Sequence, residues 1–202
     1  DEENGGWKGV KYLIQQGLLK GDFGICMEPT NGRILNRHRG ILRMQFTYRA
    51  QPHHASTPHP SLDALQKAVM AIQQLYALNQ RLCNRTDEFG AATRCLSVTV
   101  LHAGNTPNVQ PSLAEFIVDR RIDMDEEVDA VKKEILDIFD RLKAENSEFE
   151  YEYQILSDRP LLDIPESDRF IQSLSHSYEK IMGQPAKIYT RAGGSDAASL
   201  FQ

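Results

Sequence analysis

The sequence is poor in cysteine and in long apolar runs, and each shortage excludes a class of protein. Its three cysteines, Cys26, Cys83 and Cys95, include no Cys-x-x-Cys pair. This odd number at wide spacing predicts reduced, half-buried thiols of a cytoplasmic protein rather than a disulfide framework. No apolar run approaches the roughly 20 residues of a membrane-spanning helix, and the first residues lack the features of a signal peptide. We therefore expect neither membrane insertion nor export.

Positive charge is also scarce. The 23 Lys and Arg residues are outnumbered by 28 Asp and Glu residues, and they form no basic stripe, so we expect no nucleic-acid partner. Hydrophobic residues make up 41% and charged residues 25%, as is usual for a globular protein. The 202 residues allow one large domain or two small ones. The chain begins without Met and stops in what reads as the start of a helix, so we expect both ends to be cut.

The hydrophobic pattern of the central part predicts a complete domain. Strands with one buried face alternate with amphipathic helices, and the order is β-α-β-β-α-β, the ferredoxin-like arrangement. The predicted strands cover residues 42–48, 96–100, 116–120 and 149–155. The predicted helices cover residues 62–82 and 128–142.

The two flanks follow a different pattern, that of an α/β layer. The sequence predicts a helix over residues 5–17, a buried strand over 23–27, a connector over 33–40, a helix over 170–181, a strand over 187–189 and a turn over 193–196 that opens another helix. Each flank is too small to close a core alone. We therefore predict that residues 1–36 and 159–202 are parts of an α/β catalytic domain into which residues 37–158 are inserted as an α+β lid.

Three carboxylates are candidates for hydrolytic chemistry. Glu2 and Glu3 precede a predicted helix, and adjacent side chains can divide into a metal ligand and a base facing a bound water. The alternative is solvated acid that the helix dipole favours. Glu28 follows the predicted strand 23–27, where α/β folds bind ligands, or it is an ordinary surface residue.

Histidines are concentrated in the proline-bounded loop 52–60. Its three members, His53, His54 and His59, are candidates for zinc binding or for donating a hydrogen bond to an oxyanion. The alternative is a polar loop in which the histidines are incidental.

Two further features are typical of carboxylate binding. Arg121 lies near the end of a predicted strand, with Asn108 on the preceding loop, and the turn of Gly193, Gly194, Ser195 and Asp196 offers backbone donors at a helix start. The alternatives are a surface arginine on an exposed sheet and an ordinary capped turn.

Taken in order, these motifs resemble the zinc-dependent amidohydrolase and exopeptidase family. Its members include acetylornithine deacetylase, succinyl-diaminopimelate desuccinylase, aminoacylase and carboxypeptidase G. The resemblance covers the whole chain. It is carried by Asp1-Glu2-Glu3 with Gly6, Glu28-Pro29-Thr30, Arg39-Gly40, His54-Ala55-Ser56-Thr57-Pro58, Asn108 with Pro111, Asp119-Arg120-Arg121 and Gly193-Gly194-Ser195-Asp196.

The resemblance implies hydrolysis of the amide bond of an N-acyl amino acid or small peptide by a water bound to two zinc ions, with cobalt or manganese as alternative metals. Glu2 matches the general base, while Glu3 and Glu28 match metal ligands. His54 matches a lid histidine that crosses the interface of a homodimer to stabilise the tetrahedral intermediate in the partner's active site. The substrate's free carboxylate is implied to contact Asn108, Arg121, Gly193, Gly194 and Ser195.

The family's zinc centre also needs a His-x-Asp motif, a bridging Asp and a C-terminal His, and the 202 residues contain none of these in the required order. We therefore expect the chain to be the central part of a longer enzyme and to be inactive alone, since a catalytic zinc takes about three protein ligands. Two alternatives remain: a non-catalytic ferredoxin-like dimerisation module, and a carboxylate-binding module that uses Arg121.

Overall fold

The computed structural model describes residues 8–86 and 92–200, so Glu2 and Glu3 lie outside the described residues. The chain divides into two compact units. The flanking unit comprises residues 1–41 and 159–202, and the central unit comprises residues 42–158.

Nine strands and five helices follow one another in the described ranges. The strands are β1 (Ile34–His38), β2 (Gly40–Arg49), β3 (His53–His54), β4 (Cys95–Ala103), β5 (Val109–Gln110), β6 (Leu113–Ile122), β7 (Tyr151–Arg159), β8 (Leu162–Asp163) and β9 (Ile188–Arg191). The helices are α1 (Lys8–Gln15), α2 (Ala64–Leu82), α3 (Val128–Glu145), α4 (Arg169–Met182) and α5 (Ala197–Leu200), and a 3₁₀ turn spans Ser147–Phe149.

The central unit is a four-stranded sheet in the order β4-β6-β2-β7, with α2 and α3 packed on one face. The alternate residues of β2 that face these helices are fully buried: Leu42, Met44, Phe46 and Tyr48. Phe46 stacks on Phe139 of α3 with ring centroids 3.9 Å apart. Burying large apolar side chains in this way is the main force that holds the layers together. The predicted ferredoxin-like order of elements is confirmed.

Local hydrogen bonds set the ends of the helices. Asp63 accepts from the backbone N–H of Gln66, and Gln66 Oε1 accepts from the N–H of Asp63, which is a capping box. Helix α2 therefore begins at Ala64, two residues after the predicted start at Leu62. Helix α4 ends at Met182, one residue beyond the predicted end at residue 181, where Gly183 takes a left-handed conformation with φ of 69°.

The flanking unit contains a three-stranded sheet in which β1 lies between β8 and β9, antiparallel to β8 and parallel to β9. Strand β1 occupies residues that were predicted to be a connector, and that prediction is wrong. Its inward side chains include Asn36, which is buried and donates from Nδ2 to the carbonyl oxygen of Ile164 at 2.6 Å. A polar residue can face inward when a distant partner satisfies it.

The predicted buried strand over residues 23–27 is also wrong, and with it the position of Glu28 at a strand end. The segment has no regular secondary structure, and Phe23 and Met27 are 64% and 89% exposed. An apolar run becomes a strand only where neighbouring strands accept its backbone hydrogen bonds, and no described strand pairs with it. The strand predicted over residues 149–155 starts two residues late: Phe149 is buried in the 3₁₀ turn, and β7 begins at Tyr151.

Two expectations about the whole chain can be compared with the described residues. Within ranges 8–86 and 92–200, no helix is both long and apolar enough to span a membrane. The three cysteines all lie in these ranges and form no disulfide; Cys26 and Cys95 are half-buried, as predicted, whereas Cys83 is exposed.

Candidate functional site

A short two-stranded sheet in the central unit, formed by β3 and β5, brings two of the predicted site residues together. Strand β3 pairs antiparallel with β5, so that His54 lies opposite Val109, and the N–H of Ala55 donates to the carbonyl oxygen of Asn108 at 2.9 Å. This pairing leaves Nε2 of His54 3.2 Å from Nδ2 of Asn108. Both side chains are exposed, so a ligand can reach them.

Local contacts determine which nitrogen of His54 carries the proton. The backbone N–H of Ser56 points to Nδ1 at 3.2 Å, and Oγ of Ser56 lies 2.7 Å from the same atom. A backbone N–H can only donate, so Nδ1 accepts, and a neutral ring carries its proton on Nε2. The structure places Nδ2 of Asn108 next to Nε2, so this tautomer assigns the flipped amide, in which Oδ1 of Asn108 faces Nε2–H. With this assignment Nε2–H is a donor at the exposed edge of the β3–β5 pair.

The other two histidines of the loop, His53 and His59, stabilise the loop by contacts within it and with β5. The rings of His53 and His59 stack with centroids 4.6 Å apart. The N–H of His59 donates to Oε1 of Gln110, and Nδ1 of His59 accepts from the N–H of Ser61, each at 3.1 Å. These contacts fix the loop against β5, and they leave His54 as the histidine whose ring projects toward Asn108.

Arg121 of β6 is held by a buried carboxylate that the sequence reasoning missed. Oδ1 of Asp119 accepts from Nε of Arg121 at 2.8 Å, and Oδ2 accepts from Nη2 of Arg43 at 2.7 Å. Two guanidinium groups share this carboxylate, which orients the partly exposed guanidinium of Arg121, a group suited to an anionic ligand. A signal was available, because residues two apart on a strand share a face of the sheet.

Within one central unit, Arg121 lies far from His54 and Asn108. Strand β6 begins at Leu113, just after β5 of the β3–β5 pair, and Arg121 lies near its far end. At about 3.3 Å per residue, the strand separates Leu113 from Arg121 by about 25 Å. The three predicted ligand-binding side chains of this unit therefore form two clusters at opposite ends of one strand.

In the flanking unit, the turn of Gly193, Gly194 and Ser195 rests on a buried histidine, His38. The N–H of Ser195 donates to Nε2 of His38 at 3.2 Å, and Nδ1 of His38 lies 3.1 Å from the carbonyl oxygen of Arg39. Burial lowers the pKa of the His38 imidazole below its usual 6.5. No periodicity signal pointed to His38, because the connector prediction hid the strand that carries it.

Close packing explains one glycine of this turn. A Cβ on Gly194 would lie 2.9 Å from Cδ of Arg159, a side chain that is 2% exposed. Nη2 of Arg159 in turn lies 3.7 Å from Oδ1 of Asp196. Arg159 and His38 therefore both contact the turn and fix its position.

Glu28, the predicted metal ligand within the described residues, accepts from Nη1 of Arg191 at 2.9 Å. In the ranges 8–86 and 92–200, no group of three or more His, Cys, Asp or Glu side chains is arranged to hold a metal ion. A structural or catalytic zinc takes three or four protein ligands. The described residues therefore do not fit a complete zinc centre by themselves.

Comparison with known proteins identifies the family. The model of the peptidase dimerisation domain of M20 peptidases matches residues 36–147, more than half of the chain. The chain belongs to the M20 peptidase family. The resemblance inferred from the sequence motifs is thereby confirmed, and the match covers most of the ferredoxin-like central unit.

Curated relatives agree with this assignment. The chain is 25% identical to an uncharacterised metallohydrolase of Methanocaldococcus jannaschii, over 99% of this chain and 53% of that protein. It is 26% identical to a thermostable carboxypeptidase of Saccharolobus solfataricus and 27% identical to an acetylornithine deacetylase of Erwinia tasmaniensis, over 57% and 56% of this chain and 30% of each of those proteins. The chain thus spans about half or less of the length of these relatives.

Solved structures show the same fold. A tripeptidase from Staphylococcus aureus superposes with a TM-score of 0.72 at 17% identity, over 95% of this chain and 48% of that chain. The aminopeptidase PepT from Bacillus cereus superposes with a TM-score of 0.64 at 16% identity, over 84% of this chain and 43% of that one. At these identities the likeness establishes the fold alone.

Proposed function

We propose that the chain is the central part of a longer M20-family hydrolase that cleaves the amide bond of an N-acyl amino acid or small peptide with a free carboxylate. The central unit is its lid and dimerisation domain, inserted between two parts of a catalytic domain that form the flanking unit. The family membership, the division of the chain into these units, and the carboxypeptidase and deacetylase among the relatives support this proposal.

One observation carries the catalytic part of the proposal, namely the exposed ring of His54, whose Nε2 lies beside Asn108 and whose Nδ1 accepts from the N–H of Ser56. In amide hydrolysis, negative charge develops on the carbonyl oxygen as the tetrahedral intermediate forms. A donor whose orientation is already fixed stabilises that charge without reorganising. The contacts of Nδ1 with Ser56 supply this fixed orientation, so His54 donates to the oxyanion.

Asn108 and Arg121 bind the substrate, and their separation supports a role for a homodimer. With about 25 Å of β6 between the two clusters, one small substrate cannot contact both within a single lid. A dimer resolves this if His54 and Asn108 of one subunit reach the active site of the other, while Arg121 serves its own. The dimerisation-domain assignment favours such an assembly.

The turn of Gly193, Gly194 and Ser195 binds the substrate's carboxylate. Its support is the tight packing of Gly194 on Arg159 and the position of the turn just before α5. Because the N–H of Ser195 donates to His38, the backbone donors for the carboxylate are those of Gly193 and Gly194.

Zinc, with Glu3 and Glu28 among its ligands and Glu2 as the general base, stays a prediction. The test is metal analysis of the full-length protein and of its Glu28→Gln variant. We expect stoichiometric zinc in the wild type and a lower zinc content in the variant. A full-length protein that contains no zinc and hydrolyses its substrate at the same rate with and without a chelator would contradict this prediction.

The proposed function is tested by assaying the full-length protein on a panel of N-acetyl amino acids and dipeptides. We expect hydrolysis by the wild type and a loss of kcat on the order of 10²–10³ in His54→Ala, as for the removal of one oxyanion donor. His176→Ala, which changes an exposed histidine of α4, is the matched control and should keep wild-type kcat. Absence of hydrolysis across the panel would favour a non-catalytic dimerisation module instead.

A further inference from the structure

We propose that His38 is a positioning residue: its neutral imidazole holds the Gly193–Ser195 turn in the form that binds substrate, and its protonation releases the turn. The inference rests on the proposed function for the ligand of that turn. It adds a residue that no sequence motif indicated, and it adds a dependence of substrate binding on pH.

The hydrogen bonds of the ring fix its tautomer. The carbonyl oxygen of Arg39 can only accept, so Nδ1 carries the proton and donates to it at 3.1 Å. The N–H of Ser195 can only donate, so Nε2 must be the unprotonated nitrogen that accepts it at 3.2 Å. The ring is fully buried, and neutral Nδ1–H imidazole is the form that satisfies both contacts.

The contact ties together residues that are far apart in the sequence. His38 and Ser195 are separated by 157 positions, and the ring bridges the end of β1 to the turn that precedes α5. In the β1–β9 register, His38 lies opposite Arg191, the last residue of β9 before the turn. The turn is thus anchored at Arg191 by strand pairing and at Ser195 by the ring.

Protonation would remove the second anchor. An imidazolium carries N–H on both nitrogens, so Nε2–H would face the N–H of Ser195, and two donors cannot bond to each other. The buried charge would also need a counter-ion, because an unpaired buried ion is costly. The charged group that acts on the ring is the guanidinium of Arg159, which has the same sign as an imidazolium.

Charged side chains lie on each element that adjoins β1 or the turn. They are Arg37 and Arg39 on or next to β1, Asp163 on β8, Arg191 on β9, Arg159 at the end of β7, Asp196 after the turn, and Glu28, which pairs with Arg191. The three carboxylates of this set each pair with an arginine, Asp163 with Arg37, Asp196 with Arg159 and Glu28 with Arg191. Nearby Arg159 also disfavours the imidazolium and, with burial, keeps the pKa of His38 low.

The consequence for the enzyme is a change in substrate binding rather than in the chemical step. A turn that has lost its anchor at Ser195 presents its backbone donors in many orientations, so binding must order it again. We therefore expect KM to rise in acid as the pH falls through the pKa of His38, which lies below its usual 6.5, while kcat is unaffected by this group.

The experiment measures KM and kcat from pH 5 to pH 8 for the full-length protein with the best substrate of the panel. The variants are His38→Gln, whose Oε1 can accept from Ser195 but does not titrate, and His38→Ala, which removes the acceptor. We expect His38→Gln to keep a low KM that no longer rises in acid, and His38→Ala to raise KM about tenfold at every pH. His176→Ala is the control and should keep the wild-type pH profile of KM.

A second readout needs no substrate, so that failure of this inference is distinguishable from failure of the proposed function. Hydrogen exchange of the Ser195 amide should be about tenfold faster in His38→Ala than in the wild type, and it should be close to wild type in His38→Gln. If His38→Ala does not fold, the pH series of His38→Gln and of the wild type still test the role of His38. An acid rise of KM that persists unchanged in His38→Gln, or a Ser195 amide whose exchange is the same in all folded variants, would overturn the role of His38.

Discussion

Nε2 of His54 lies 3.2 Å from the side-chain amide of Asn108, although 54 positions separate the two residues in the sequence. The pairing of β3 with β5 makes this contact, and the contacts of Ser56 with Nδ1 orient the ring. His54 and Asn108 therefore form one polar cluster on a fixed support, and substitutions in the two residues should affect the same bound group.

Replacing Asn108 should weaken substrate binding. In Asn108→Ala the substrate loses one polar contact, and we expect KM to rise about tenfold, the effect of roughly 1.4 kcal/mol. Asn105→Ala changes an exposed asparagine of the same loop and serves as the control. Steady-state kinetics of the two variants tests this, and equal KM values for both would show that Asn108 does not contact substrate.

Replacing Tyr48 with phenylalanine should stabilise the folded protein. Its ring is buried in the core, and its hydroxyl has no hydrogen-bond partner among the described residues. Removing a buried, unsatisfied hydroxyl should raise the free energy of unfolding by about 0.5–2 kcal/mol. In Tyr151→Phe the hydrogen bond to Asp140 at 2.7 Å is lost, so this control should be destabilised. Urea unfolding followed by circular dichroism measures both, and a less stable Tyr48→Phe would contradict the prediction.

The same two tyrosines predict how stability changes in alkali. Burial raises the pKa of Tyr48 and of Tyr151 above the usual 10, and the Asp140 carboxylate adds to the effect at Tyr151. Above pH 10 the unfolded chain therefore ionises first and binds fewer protons than the folded chain, so the free energy of unfolding falls as the pH rises. Tyr48→Phe should show a shallower decline between pH 9 and pH 11, and an identical slope would contradict the assignment.

Asp119 should matter more for stability than a typical surface carboxylate. It is buried and accepts hydrogen bonds from both Arg43 and Arg121, so Asp119→Asn leaves two partly buried cations without their shared counter-ion. We expect a loss of about 1–3 kcal/mol. Asp137→Asn breaks an exposed pair with Lys133 on α3 and should cost at most about 0.5 kcal/mol. Urea unfolding compares the two, and similar losses would refute the role of Asp119.

The central unit was largely predictable from its sequence because its signals are local. The alternation of residues 42–48 and the helical spacing of residues 128–142 each report which face is buried, and the structure confirms both. Strand β1 was not predictable in this way. Its inward residues Asn36 and His38 are polar, and the groups that satisfy them lie 128 and 157 positions away.

The candidate site residues also differ in how far the sequence alone could predict them. His54 and Asn108 could be singled out from the loop composition and the family resemblance, but their contact depends on a strand register that no local pattern encodes. The ligand role of Arg121 was suggested by its residue type. Its pairing with Asp119 and its distance from His54 and Asn108 follow from the fold. His38 carried no signal, since a lone histidine in a polar segment is usually a surface residue.

The most direct test of the proposed mechanism is complementation between two inactive variants of the full-length protein. His54→Ala lacks the residue donated to the partner, and Arg121→Ala lacks the residue used in its own site. In a mixed dimer, one active site receives Arg121 from the His54→Ala subunit and His54 from the other subunit. Random mixing of equal amounts should restore about a quarter of wild-type activity, since half of the dimers are mixed and each has one intact site. Activity no greater than that of the separate variants, in dimers shown to have exchanged subunits, would contradict a shared active site.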